Sequence, residues 1–420
     1  MDNPCCSGDK GRMKLDADIL IVGGGLNGPA LGLALADCGF DVTIVDAMPK
    51  GARGADDFDG RGYALALASQ RLLTAIGVWP KVAPHAQPLL DIRISDGRAG
   101  EGPGPFVLEF DHAEIDEGPM GYMVEDRFLS RAFLEAVEAH PKVTLIDQET
   151  VVAQEVGPAS VTLTLGSGKT LTGQIVVGCD GRKSGTGERA GITRWGHDYG
   201  QTSLVCAVDH ALPHNGAAHQ FFMPPGPLAI LPLPGNQSSI VWTESHEEAA
   251  RIQGLDDAGY LDELRPRFGS FLGEIGLAGK RFTYPLNLTV AEAFVSVRLA
   301  LVGDAAHGMH PIAGQGLNAG LKDVATLAEV LALAKRRGED IGRIDVLERY
   351  QAWRRWDVMQ MVGATELTNR LFSNDNPILR ATRDIGLGVV NAFPGLRRGF
   401  IREAAGLTGD LPRLLQGRQI

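Results

Sequence analysis

Apolar residues in this chain follow two patterns. In the first they form short unbroken runs: ILIV at 19–22, TIV within DVTIVD at 41–46, IVVG at 175–178 and LALV at 299–302. A run without polar alternation reads as a strand covered on both faces, the habit of parallel sheets. The segment from Asn27 onward, rich in small apolar residues, reads as a helix between the first two runs. Residues 315–337 read as another, closed by Lys335, Arg336, Arg337 and Gly338. In the second pattern, TSLVCAVDH, AHQFF, LAILPLP and SSIVWTE are short β-rich segments broken by Pro and Gly, which predicts an antiparallel sheet in a second domain. Residues 59–79 read as a loop leading into a helix that ends near Gly77, and 340–420 as largely helical.

Composition adds limits. A chain of 420 residues exceeds what one core holds. The net charge of −11 argues against nucleic-acid binding, which rests on clustered Lys and Arg. The charge is uneven: from Arg370 onward eight arginines face four acids, a basic end on an acidic protein. The five cysteines (Cys5, Cys6, Cys38, Cys179 and Cys206) have no metal-ligand spacing, and an odd number suits a reducing compartment. No metal is expected. Residues 1–14 lack the apolar core of a signal peptide and read as a disordered leader. No run reaches the ~18 apolar residues of a membrane span, so the expected location is cytoplasmic.

The candidate chemistry begins at the end of the first run. Gly23-x-Gly25-x-x-Gly28 sits between a strand and a helix, and Asp46 ends the second strand. Such glycines admit a pyrophosphate to a helix N-terminus, and the acid accepts from a ribose hydroxyl. GSGKT at 166–170 imitates a phosphate loop, but Leu163 stands where that motif requires glycine, so a hairpin turn is expected. Two further strand ends offer small residues beside an acid: Asp180 with Gly181, and Gly303 with Asp304. Ligands of open α/β sheets collect beyond such ends. One ligand reaching all three needs phosphates, a ribose and a further polyol or ring. FAD meets that description, and NAD leaves the third place idle.

GGGLNG, VVGCDG and LALVGDAAHGMHPIAGQGLNAGLKD together resemble the single-component FAD-dependent aromatic hydroxylases. HPIAGQGLNAGLKD, DGRGYALALASQRLLTAIGVW and the ending LFSND…AAGLTGDLPRLLQG resemble in particular the ubiquinone-biosynthesis hydroxylases. The resemblance implies an α/β fold: a doubly wound, GR2/Rossmann-like FAD domain (15–85, 121–192 and 285–345) interleaved with a mostly antiparallel β substrate domain (86–120 and 193–284), then C-terminal helices (346–420). It implies that Gly23, Gly25, Gly28 and Asp46 hold the ADP part of FAD. Arg61 and Arg131 would lie near the cofactor, the second at its phosphates. Asp180 and Gly303 belong to the same site, and Asp304 would bind the ribityl chain. Pro311 would also bind the cofactor, and Gly314, Gln315, Gly316, Leu317 and Asn318 would lie against the flavin ring, where bare N–H groups favour the anionic reduced form. The family's Asp-Gly-x-x-Ser-x-x-Arg reads DGRKSGTG here: Gly187 replaces the arginine, with Arg182 and Arg189 as substitutes.

The implied reaction is hydroxylation of a prenylated phenol. NAD(P)H or another donor reduces FAD, O2 gives a flavin hydroperoxide, and the electron-rich ring attacks its distal oxygen. No catalytic base is nominated. His307 and His310 are expected to be structural or to lie beside the flavin. Other flavoenzymes on this scaffold, such as an isoprenoid reductase or a halogenase, stay open, as does a non-catalytic FAD-bound scaffold. Trp242 alone does not make the paired tryptophans of a halogenase. The basic, apolar tail around Arg380, Arg383, Arg397, Arg398 and Arg402 suits either packing on the FAD domain or a peripheral contact with the inner face of the cytoplasmic membrane. A ubiquinone-biosynthesis complex is a further expected partner.

Overall fold

The computed structural model describes residues 15–52, 54, 61–100, 102–310, 314–372 and 390–420. The expected leader, Pro311, Arg380 and Arg383 lie outside the described residues. The unbroken apolar runs do form a buried sheet. Its strand order is Val295–Ser296, Leu299–Leu301, Ile175–Gly178, Ile19–Val22, Val42–Val45 and Val143–Ile146, parallel except for the first pair. Ile19 is in register with both Ile175 and Val42, and Ile19, Leu20 and Ile21 are wholly buried. The helices Asn27–Asp37 and Gln315–Arg336 pack on each other, and the long helix Ile344–Phe372 packs on the second of them.

The expected hairpin at 166–169 joins Val161–Leu165 to Thr170–Gly173 and leads into the strand Ile175–Gly178. One expectation needs correction. Residues 62–66, read as part of a loop, form the strand Gly62–Ala66, paired antiparallel with Gly121–Glu125. The helix Leu67–Ala75 follows it directly.

The second apolar pattern forms a nine-stranded sheet around the seventeen-residue strand Arg194–His210. It is antiparallel apart from one parallel pair, Ala217–Met223 with Asp91–Arg98. The alternation assigns its faces. Leu204, Cys206, Ile240 and Trp242 pack under the helices His246–Gln253 and Asp257–Phe268. Ala207 and Leu233 point the other way, onto Met123 of the strand Gly121–Glu125 and Leu89 of Gln87–Leu89, which pairs with it. By the same period of two, Gln201, Ser203 and Val205 lie on this second face, with Thr243, Val241 and Ala229 as cross-strand neighbours. The face turned toward the nucleotide domain is therefore mixed polar and apolar.

Candidate active site

The site lies at the carboxyl ends of the parallel strands. Gly23 has φ 108°, and a side chain there would overlap the carbonyl of Cys179 on the neighbouring strand end. A side chain at Gly28 would overlap the Gly23 carbonyl, so helix and strand meet only through glycine. Gly25 differs: an added Cβ would meet nothing within 4 Å. The helix it precedes begins with no side-chain cap, so its first N–H groups are left for a ligand. Beside it, Gly24, Ile44, Asp46, Lys50, Ser130 and Phe133 line a hollow. The Asp46 carboxylate, which accepts from Met48 N at 3.4 Å, stands at its edge.

Arg131 lies on the helix Asp126–Ala139, next to Ser130 of that hollow, and donates to the Gly54 carbonyl at 2.9 Å. Arg61 pairs with Asp126 at 3.1 Å. Asp180 serves the local backbone: its carboxylate accepts from Ser184 Oγ, Thr186 N and Thr186 Oγ1, holding the short helix Gly185–Arg189.

Asp304 lies in the turn Gly303–Ala305, which is braced from three sides. Gly303 N donates to Asp323 Oδ2 at 2.9 Å. Arg194 donates to the carbonyls of Asp304 and Ala305. Asn27 fills the space above Gly303 and Gly320, tying the first helix to the turn and to the helix Gln315–Arg336. Arg182 Nε reaches the Asp304 carboxylate at 3.2 Å, and the same guanidinium donates to Asn287 Oδ1 and the Met309 carbonyl. Of the two candidate substitutes for the arginine missing at 187, Arg182 bridges nucleotide domain and large sheet, while Arg189 turns away to the Val151 carbonyl.

The helix Gln315–Arg336 also starts without a side-chain cap, from Gly314 in the left-handed region at φ 63°. Gly316 faces open space. Leu317 packs against the core. Asn318 is a clamp: Oδ1 accepts from Ala66 N and Ser69 Oγ, and Nδ2 donates to the Ala64 carbonyl, so the strand Gly62–Ala66 is held against the helix start. His307 Nε2 lies 2.7 Å from Asp323 Oδ2, in a structural pair. His310 is buried with its Nε2 3.3 Å from Gln201 Oε1. Asn27, Arg194 and Gln201 escaped the sequence reading; of these only Asn27, inside the glycine fingerprint, carried a signal.

These residues fit FAD: two uncapped helix starts with open space at Gly25 and Gly316, a hollow beside Asp46, and a braced acidic turn between them. The comparisons with known proteins agree. Residues 16–365 match the model of the FAD binding domain family. Ubiquinone hydroxylase UbiL of Rhodospirillum rubrum is 45% identical, covering 96% of this chain and 93% of that protein. The 3-demethoxyubiquinol 3-hydroxylase of Escherichia coli is 36% identical, covering 93% and 98%. Among solved structures, p-nitrophenol 4-monooxygenase PnpA of Pseudomonas putida superposes with a TM-score of 0.77 at 20% identity, covering 94% of this chain and 99% of the other. The chain belongs to the FAD binding domain family of flavoprotein monooxygenases, alongside the ubiquinone hydroxylases.

Proposed function

We propose that this protein is an FAD-dependent monooxygenase that hydroxylates the aromatic ring of a prenylated phenol in ubiquinone biosynthesis. The observation that carries the reading is the meeting of three strand ends, at Gly23, Asp180 and Gly303, beneath the uncapped start of the helix Gln315–Arg336. In the balanced reaction one atom of O2 is inserted into a ring C–H bond to give a hydroxyl group, the other leaves as water, and NAD(P)H or another donor with solvent supplies two electrons and two protons. Bound FAD supplies electron transfer and oxygen activation.

The chain's own part is binding, orientation and exclusion of water. Gly23, Gly25, Gly28 and Asp46 would hold the ADP portion, with Arg131 near the phosphates and Asp304 at the ribityl chain. The 22-residue helix beginning at Gln315 places roughly half a positive charge at its N-terminus, which favours an anionic reduced ring. The half-buried Ala229, Leu231 and Val241 on the facing sheet suit an isoprenoid chain. That face also keeps water from the reacting centre.

The outer partner is an anionic membrane surface, where such a substrate resides. On the helix Pro394–Ala404, Leu396 and Phe400 are exposed, as is Phe393 just before it, while Ile401 is buried. No described helix is long and apolar enough to cross a membrane, so the contact would be peripheral, on the inner face of the cytoplasmic membrane. A ubiquinone-biosynthesis complex is the other partner the relatives suggest.

The test is incubation of the FAD-loaded protein with a 2-prenylphenol, NADPH and isotopically labelled O2. Mass spectrometry should find one labelled oxygen in the product. Gain of hydrogen or halogen, or no change, would refute the reading.

A further inference from the structure

Among the described residues, three groups around the site keep a buried polar atom without a partner, Asn27 Oδ1, His307 Nδ1 and His310 Nδ1; of these His310 is the one whose other ring nitrogen is tied to the large sheet. Its ring is 1% exposed, and Nδ1 has no hydrogen-bond partner. The other ring nitrogen settles the tautomer. Gln201 donates through Nε2 to the Pro225 carbonyl at 2.7 Å, which can only accept. Its Oε1 therefore faces Asn369 Nδ2 at 3.4 Å and His310 Nε2 at 3.3 Å. An acceptor there requires the proton on Nε2 and leaves a lone pair on Nδ1. Tyr199 packs edge-on against the ring, with centroids 5.0 Å apart. Another buried polar atom without a partner, Ser203 Oγ, lies two residues beyond Gln201 on the same strand face. Buried polar atoms are nearly always paired, so the unspent acceptor of His310, anchored to the strand that also carries Ser203, is open to a polar ligand.

We propose that His310 meets the substrate, with Nδ1 accepting the hydrogen bond of the phenol's ring hydroxyl. The assignment rests on the hydroxylase reading above and gives it a residue. His310 stands between the Asp304 turn and the start of the helix Gln315–Arg336, and it is tied through Gln201 to the large sheet, so it belongs to both walls of the site. A hydroxyl donating to Nδ1 is oriented and releases electron density into its ring, with no proton lost. The neighbouring charged and titratable groups are Arg182 and Tyr199, the latter donating to Glu366. Burial, with the Arg182 charge, pushes the His310 pKa down to about 4, which keeps the lone pair available at neutral pH.

The experiment is a binding cycle on the FAD-loaded full chain. Its two probes are a 2-prenylphenol and the matching prenylbenzene without the hydroxyl. The phenol should bind His310→Leu about ten-fold more weakly than the wild type, the worth of one hydrogen bond. The prenylbenzene should bind both equally. His310→Asn, whose side-chain oxygen falls near the Nδ1 position, should recover most of the loss. Gln201→Leu removes the Nε2 acceptor and should weaken only the phenol, which keeps the test alive if His310→Leu does not fold. Equal weakening of both probes would mean a packing role, and no weakening would mean that Nδ1 serves only a water; either overturns the assignment. Wild-type protein that hydroxylates the phenol while the cycle gives nothing refutes His310 alone. Wild-type protein that neither binds nor oxygenates the phenol refutes the hydroxylase reading and this assignment with it.

Discussion

Arg354 donates through Nε to Asp323 Oδ1 at 2.6 Å, and neither side chain has any exposed surface. The second oxygen of Asp323 accepts from Gly303 N and meets His307 Nε2. One buried carboxylate thus fixes the turn that presents Asp304, the helix Gln315–Arg336 and the long helix carrying Arg354. Removing one partner of a buried pair strands the other, at a cost of about 3–5 kcal/mol. Arg354→Met should lower unfolding stability by that order in denaturant titration and loosen FAD retention. Burial pushes the Asp323 carboxyl up, and His307 and Arg354 more than reverse this, so it sits below the ordinary carboxylate value. The pair's contribution is therefore complete above about pH 4 and is lost as the pH falls through the folded value. In Arg354→Met, acid unfolding should begin at higher pH.

The fingerprint glycines should separate into two classes. At Gly28 an added methyl group overlaps the Gly23 carbonyl, whereas at Gly25 and Gly316 it meets no protein atom within 4 Å. Gly28→Ala should destabilise the FAD-free protein by about 1–3 kcal/mol, as overpacking does. Gly25→Val and Gly316→Val should leave its thermal unfolding within a few degrees of the wild type and abolish the yellow bound chromophore. Equal chromophore retention by all three variants would remove the cofactor from this cradle.

Much of the nucleotide domain was legible because its signals are local. A four-residue apolar run ending in glycines needs no distant partner to be read, and Ile19–Val22 and Asn27–Asp37 start where the pattern places them. The strand Gly62–Ala66 was missed because its partner, Gly121–Glu125, lies far along the chain and its own Ala-Leu-Ala runs on into a helix. The parallel pairing of Ala217–Met223 with Asp91–Arg98 is hidden for the same reason. At the site, the glycines announced themselves by composition. Arg194, Gln201 and Arg354 did not, since a buried arginine or glutamine is recognised only by what the fold sets opposite it.

Acid should weaken the fold in a second, higher window. His310 and His219 are both buried, and burial first, then Arg182 and Arg93 respectively, pushes each pKa down to about 4. An unfolded histidine titrates near 6.5. Between these values the unfolded state holds protons that the folded state refuses, so stability rises with pH there, by up to about 1.4 kcal/mol per pH unit for each group. Denaturant titrations from pH 4 to 7 should show this slope. His214, also buried and pushed down, adds to the slope, so His310→Asn and His219→Asn should each reduce it without abolishing it, and an unchanged slope would show that the two rings are protonated in the folded protein.

Membrane contact should depend on the apolar residues of the last long helix more than on its charges. Arg397 pairs with Glu114 at 2.7 Å and Arg402 with Glu117 at 3.6 Å, so much of the basic character read from the tail is spent within the protein. Phe393, Leu396 and Phe400 are at least half exposed. Replacing these three with serine should reduce flotation with anionic vesicles by ten-fold or more. Arg397→Gln with Arg402→Gln should reduce it much less, and the reverse order would refute insertion of these side chains.

The departure at Gly187 yields the last prediction. Were this glycine simply a lost arginine, Gly187→Arg should strengthen the site. The position is buried, however, and an added Cβ would lie 3.3 Å from Leu301 Cδ1 on the central sheet. Its N–H donates to Ser184 Oγ within the turn organised by Asp180. Meanwhile Arg182 already supplies a guanidinium to Asp304 and Asn287. On the proposed reading Arg182 takes the arginine's part, while position 187 is filled by the turn and Leu301. Gly187→Arg should cost about 1–3 kcal/mol of stability through overpacking without tightening FAD. Arg182→Leu should leave the sheet intact and weaken FAD retention. Tighter cofactor binding in Gly187→Arg, with wild-type stability, would return the role to position 187.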